Sequence, residues 1–293
     1  MNNYQNRNKS FLHTVFTNHS TVKLLQSSIM ISLSGTFRIY LASLLLGSSV
    51  SLCLCLAGGL IIYSVYTLDR ALGCKEDIVN RAELSNSCKD VGIVASLVTF
   101  LIGSFIFSRY NILWLAFFPF ITGYLYSKGL QLFGFNLRLK AGIGVKNLVV
   151  GLTWGIFLAL VSLSDIRYLS SPVAVFILYG TKTFINSIID DFKDIKGDTL
   201  AGIKTIPISL GKQKTRNVLL VLHIIAHLII FSMFLNGIIL CPAIILFSFL
   251  FGLVCILRYT NEQNYINRKY EMCIFKDGES FFTLLFIYCF NFI

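Results

Sequence analysis

Apolar residues run almost unbroken over residues 24–47, 49–68, 91–108, 111–126, 147–164, 171–190, 217–236, 238–257 and 280–293. Polar residues gather in the short connections between these runs. Most runs approach the ~20 residues that an α-helix needs to cross ~30 Å of hydrocarbon. The fourth is short, and the last holds about 14 residues. None alternates apolar and polar positions as the strands of a membrane barrel would. Helices satisfy their own backbone hydrogen bonds, which lipid cannot do. The pattern therefore predicts an all-α, polytopic membrane protein with about nine transmembrane helices in one domain over residues 24–293. Residues 1–23, rich in Asn, Ser and Thr, read as a mobile cytosolic tail.

Composition agrees. The 293-residue chain is 55% hydrophobic and 13% charged, against about 25% charged in a soluble domain. Its formal net charge of +11 would suggest nucleic acid if the basic residues lay on a soluble surface. They follow topology instead. With the N-terminus in the cytoplasm, all of the 25 Lys and Arg but four fall in the tail and the connections on that side. Arg109 and Arg167 lie on the other side, and Arg38 and Lys182 lie inside spans. That is the positive-inside pattern, and it leaves no reason to invoke a nucleic-acid partner. The eight cysteines contain no CxxC pair, so most read as small buried apolar residues rather than as a disulfide framework or zinc site.

The 14 acidic residues are more informative. Asp69, Glu76, Asp77, Glu83 and Asp90 share the second connection, and Asp190, Asp191, Asp194 and Asp198 end the sixth span. Carboxylates at a membrane edge are costly unless paired or bound to a cation. If the sixth helix continues through its cluster, Asp191, Asp194 and Asp198 fall within roughly 60° of one another. Such a stripe could hold Mg²⁺, which takes oxygen ligands, or it could be a solvated helix end paired with Lys193 and Lys196. The first cluster would place Asp69, Glu76 and Asn80 within about 20° if its helix persisted. Alone it reads as a charged loop. Together the clusters supply what a diphosphate needs: Mg²⁺ held by carboxylates, and Lys or Arg for the remaining charge.

The run Asp191, Asp194, Gly197, Asp198, followed by Gly202, Thr205, Pro207, Leu210 and Gly211, resembles the second signature of the UbiA prenyltransferase superfamily, DxxDxxGD then GxxTxPxxLG. The first signature, NDxxDxxxD, is matched more loosely. Asp69 aligns with its first Asp and Glu76 with its last, while Leu68 replaces the Asn and Leu72 the middle Asp. The trailing Asn80 and Arg81 resemble the family's ending, and Tyr124 to Lys128 with Asn147 and Gly151 loosely resemble its fourth-to-fifth helix region.

The resemblance implies a helical bundle around a central cavity closed by cytoplasmic loops. It implies an enzyme that ionises a prenyl diphosphate with Mg²⁺ and transfers the prenyl group to a hydrophobic or aromatic acceptor within the membrane lipid. Under it, Asp69, Asp191, Asp194 and Asp198 are catalytic carboxylates. They bind the metal with Glu76 and Asp77, and Arg81, Lys128, Lys140 and Lys204 meet the diphosphate. Two readings compete. A cation-coupled transporter would more often place its carboxylates near the midplane, and the departures in the first signature allow an inactive family member. The DDxxD of Asp190 to Asp194 belongs to soluble isoprenyl synthases, which the apolar spans exclude. A CDP-alcohol phosphotransferase signature is absent.

Two charged residues inside spans need a reason. Lys182 reads as half of an interhelical pair. Arg38 reads similarly, with orientation of an acceptor head group as the alternative. His223 and His227, four apart in the seventh span, read as helix packing.

Overall fold

The computed structural model describes residues 19–49, 51–73, 77–128, 130–132, 135–137, 142–165, 170–261 and 269–290. Apolar runs became helices: α1 His19–Gln26, α2 Ile29–Leu46, α3 Leu52–Leu72, α4 Lys89–Arg109, α5 Trp114–Ser127 and α6 Val145–Val161. They are followed by α7 Pro172–Leu200, α8 Lys212–Leu235, α9 Pro242–Tyr259 and α10 Gly278–Cys289. Two three-residue strands, β1 Leu130–Leu132 and β2 Phe135–Leu137, pair antiparallel between α5 and α6. They are a small exception to the all-α expectation.

Six described helical segments are long and apolar enough to cross a membrane: His19–Leu46, Leu52–Leu72, Lys89–Arg109, Pro172–Leu200, Lys212–Leu235 and Pro242–Tyr259. The helices α5, α6 and α10 hold 14, 17 and 12 residues. At 1.5 Å per residue they are about 18–26 Å long. Length and composition alone thus pick out six spans among the described residues, and α5, α6 and α10 occupy the other three apolar runs. The N-terminal boundary also shifts. Helix α1 begins at His19, with Thr21 and Leu24 fully buried, so residues 19–23 belong to the folded body. Residues 1–18 lie outside the described residues.

Helix ends follow local chemistry. Gly47 (φ +63°) closes α2 in the left-handed region, where its N–H bonds Leu44 O and the next N–H bonds Ser43 O. Gly73 (φ +58°) ends α3 after Leu72. The helix that carries Asp69 therefore stops before Asn80, and Glu76 lies outside the described residues. A single turn of helix, Asp77–Asn80, follows in the connection. By contrast α7 does run on to Leu200, as its acidic stripe requires.

A buried apolar core joins α2, α3, α6, α7 and α9. Helix α3 packs against α2, α4 and α5, and α6 packs against α7. The last contact is backbone to backbone. A Cβ on Gly155 would stand 2.8 Å from Gly180 Cα, and one on Gly151 would stand 3.1 Å from Gly180 O. Small residues let membrane helices approach this closely. Just there α7 contains a π-helical stretch, Phe176–Gly180. A second one, Cys273–Asp277, precedes α10. Large apolar side chains such as Leu101 and Phe105 on α4 and Leu228 and Leu235 on α8 stand exposed. That surface suits lipid.

Candidate active site

The antiparallel contact of α6 with α7 carries the start of α6 to the acidic end of α7. There Lys146 Nζ lies 2.7 Å from Asp191 Oδ1 and 3.2 Å from Asp198 Oδ2. The two acids are seven residues apart, about two helical turns, so one ammonium spans both. Both carboxylates are buried. The neighbouring Asn147 donates from Nδ2 to Asp191 Oδ2 at 2.9 Å and to Ser187 Oγ at 3.0 Å. Its Oδ1 is buried with no hydrogen-bond partner among the described residues.

A second wall comes from the connection after α3. Asn80 Nδ2 donates to Asp198 Oδ1 at 3.3 Å. Arg81 lies 3.5 Å from Asp69 Oδ2, and Ser127 Oγ donates to Asp69 Oδ1 at 2.6 Å. The third wall is the π-helical stretch before α10. Lys276 Nζ lies 2.7 Å from Asp190 Oδ2 and 3.3 Å from Asp277 Oδ1, and Lys193 takes Asp190 Oδ1 at 2.8 Å. Burial works against the Lys276 ammonium, but Asp190 and Asp277 outweigh it and hold its pKa above the ordinary lysine value. Asp194 faces the same space without a hydrogen bond or ion pair among the described residues.

These walls enclose a cavity of about 200 Å³. Its charged end is lined by Asp69, Asn80, Arg81, Lys146, Asp190, Asp191, Asp194, Asp198, Lys276 and Asp277. Its other lining is mostly uncharged and includes Tyr66, Val65, Val149, Val150 and Trp154. The Tyr66 and Trp154 rings stack with centroids 5.6 Å apart and an interplanar angle of 11°.

Of the residues singled out from the sequence, Asp69, Asp191, Asp194, Asp198 and Arg81 line this cavity. Lys128 and Lys204 are exposed and are not among its lining residues. Glu76, Lys140 and the Asp77 side chain lie outside the described residues. Sequence reasoning missed Lys146 and Lys276 by counting both as loop charges. The signal for each was its place. Lys146 directly precedes Asn147 at the start of an apolar run, and Lys276 sits with Asp277 and Glu279 before the last run. Lys182 does form the expected interhelical pair, with Glu279, and it donates to Ser248 Oγ at 2.8 Å. His223 and His227 pack against α9, with His223 Nε2 3.0 Å from Phe249 O and His227 Nε2 3.3 Å from Ser248 Oγ.

Among the described residues, no three His, Cys, Asp or Glu side chains lie close enough together to hold a metal by themselves. The reason is visible: Lys146 stands between Asp191 and Asp198, and other cations take Asp190 and Asp69. The donor set nonetheless fits Mg²⁺. It is made of oxygens alone, it includes the unpaired Asp194 and the unsatisfied Asn147 Oδ1, and Mg²⁺ is typically bound through one or two carboxylates plus substrate phosphates.

Comparison with curated proteins found no match. Among solved structures, a UbiA homolog from Archaeoglobus fulgidus bound to GPP and Mg²⁺ superposes with a TM-score of 0.59 at 14% identity, covering 91% of this chain and 99% of that one. The same homolog bound to DMAPP and Mg²⁺ gives 0.58, also at 14% identity and the same coverage. A structure of digeranylgeranylglyceryl phosphate synthase gives 0.54 at 15% identity, covering 93% and 95%. At these identities the likeness establishes the fold. The sequence profile described as the UbiA prenyltransferase family matches residues 89–282. With two thirds of its length matched, the chain belongs to the UbiA prenyltransferase family.

Proposed function

We propose that this protein catalyses Mg²⁺-dependent transfer of a prenyl group from a prenyl diphosphate to a hydrophobic or aromatic acceptor within the membrane. One observation carries the reading: carboxylates and cations from both acidic segments meet at one end of a single cavity whose remaining wall is largely apolar and aromatic. The relatives solved with GPP or DMAPP and Mg²⁺ support it.

Asp191, Asp194 and Asp198 on α7 and Asp69 on α3 would hold the metal, with Glu76 and Asp77 joining from the connection after α3. Bound there, Mg²⁺ supplies positive charge to the leaving diphosphate. Arg81, Lys146 and Lys276 would contact the diphosphate oxygens, while Lys128, Lys140 and Lys204 raise the local positive potential and draw the anion in. Prenyl transfer breaks the C1–O bond, and the electron pair leaves with the diphosphate. The acceptor then bonds C1 and gives up a proton. The Tyr66–Trp154 stack presents aromatic surface toward the developing positive charge and keeps water from capturing it. The N-terminus and the charged mouth face the cytoplasm, as the distribution of Lys and Arg indicates.

The reading is tested in nanodiscs with radiolabelled geranylgeranyl diphosphate and a panel of acceptors. It predicts a prenylated product that forms with Mg²⁺ and not with EDTA. Absence of product with every acceptor would favour an inactive family member.

A further inference from the structure

Tyr66 and Arg70 lie four residues apart on α3 and so share one face of it. Tyr66 lines the cavity three residues before Asp69, which places it ~4.5 Å further along the helix from the charged end. Its hydroxyl makes no hydrogen bond among the described residues, so contacts to the ring alone hold it in place. There are two. Trp154 stacks on the ring, and the Arg70 guanidinium carbon lies over it, 5.7 Å from the centroid. That distance is within cation–π range. Trp154 is already fixed from its own side, where the fully buried Phe157 meets it edge-on with centroids 5.7 Å apart. Tyr66 is half-buried at the cavity wall, and a ring there swings inward unless something resists.

Arg70 supplies the resistance. A cation in the last turn of a membrane helix ordinarily reaches for water and headgroups. Arg70 instead donates from Nη1 to Ser28 Oγ at 2.5 Å, and Ser28 is fully buried where α1 meets α2. Thr67, also fully buried, donates to the same oxygen at 2.9 Å. Among the described residues Arg70 forms no ion pair, and it is not among the residues that line the cavity. A guanidinium without a carboxylate is costly in a span, and here one hydroxyl and one aromatic face compensate it. Arg38 also acts electrostatically on Tyr66, but from within the cavity lining, where it bonds Ser280 Oγ at 3.3 Å and Thr183 Oγ1 at 3.5 Å.

We propose that Arg70 is a positioning residue for prenyl transfer: anchored on Ser28, it holds the Tyr66 ring against Trp154, so that the aromatic wall stands formed before substrate enters. The proposal rests on the prenyl-transfer reading. In that reaction C1 parts from the diphosphate near Asp69, and a ring one helical turn along α3 stands beside the carbon that becomes positive. A wall already in place costs no reorganisation as that charge develops, and it leaves water no gap.

The test uses the full chain in nanodiscs in a Trp114→Phe background. Trp114 is exposed and is not among the cavity-lining residues, and its loss leaves Trp154 as the single tryptophan. Acrylamide quenching of the Trp154 emission reads whether Tyr66 covers it. Arg70→Gln and Tyr66→Leu should each raise the quenching constant at least twofold, and the double variant should exceed neither. Arg70→Lys, which keeps the charge, and Ser28→Ala, which loosens the anchor, should fall between wild type and Arg70→Gln. Tyr66→Phe, which keeps the ring, should match wild type. Should Arg70→Gln fail to fold, Ser28→Ala carries the same comparison. With geranylgeranyl diphosphate and the acceptor panel, Arg70→Gln should lower turnover at least tenfold, while Mg²⁺-dependent binding of the diphosphate changes less than twofold. Unchanged quenching in Arg70→Gln, simple addition of its effect to that of Tyr66→Leu, or full turnover despite an uncovered Trp154 would overturn the proposal. Absence of both Mg²⁺-dependent binding and product in the parent protein would tell against prenyl transfer instead, and the quenching cycle would then decide by itself whether Arg70 holds the ring.

Discussion

The Asn80 carboxamide lies directly on the backbone at Gly197: a Cβ at that position would stand 2.0 Å from Asn80 Oδ1. Only glycine lets the connection after α3 press against α7 and deliver its amide to Asp198. Gly197→Ala should therefore separate function from stability. Alanine favours helix by about 1 kcal/mol over glycine, so the melting temperature should fall little or rise. Prenyl transfer should drop at least tenfold as Asn80 is displaced. Thermal unfolding measured beside turnover checks both halves.

Lys146 holds two buried carboxylates apart from solvent. Removing one partner of such a cluster costs about 3–5 kcal/mol because the acids are left uncompensated. Lys146→Met should lower the unfolding temperature markedly in EDTA. Mg²⁺ should restore part of the loss, since a ligand of the folded state stabilises it by mass action. Thermal scans with and without Mg²⁺ decide it, and a loss that Mg²⁺ leaves untouched would tell against metal binding at Asp191 and Asp198.

Lys182 and Glu279 form a buried pair across α7 and α10. Either single change, Lys182→Met or Glu279→Leu, should destabilise the bundle by about 3–5 kcal/mol. The double replacement should recover most of that, because two apolar side chains leave no orphaned charge. A double-mutant cycle of unfolding free energies reads the coupling, and simple additivity would contradict it.

The cations should divide by place. Lys276 is buried against Asp190 at the cavity, whereas Lys204 is exposed away from its lining. Lys276→Gln should weaken prenyl diphosphate binding at least tenfold, as expected for a charge-assisted contact worth ~1.5–3 kcal/mol. Lys204→Gln should change it less than twofold. Comparable losses in both would show that exposed charge, not contact, sets affinity.

Much of this could be read along the chain, for physical reasons. The apolar runs placed every major helix because lipid leaves the backbone no other arrangement. The stripe of Asp191, Asp194 and Asp198 was legible because one helix carries all three residues, and periodicity speaks directly about a single element. The continuation from Asp69 to Asn80 was not, since Gly73 adopts a positive φ and turns the chain. Three of the nine runs fold as helices that length alone does not mark as spans: Trp114–Ser127, Val145–Val161 and Gly278–Cys289 are apolar but short. Lys146 and Lys276 escaped notice because their roles depend on helix pairing. Lys146 reaches Asp191 only after Gly151, Gly155 and Gly180 bring α6 and α7 into backbone contact.

Equilibrium binding of radiolabelled geranylgeranyl diphosphate to the protein in nanodiscs tests the central claim most directly. It should be measured with Mg²⁺ and with EDTA, for the wild type and for an Asp191→Asn, Asp194→Asn double variant. The account predicts binding that requires Mg²⁺ and falls at least tenfold in the variant. Binding that is equal with and without the metal, or equal in the variant, would contradict it.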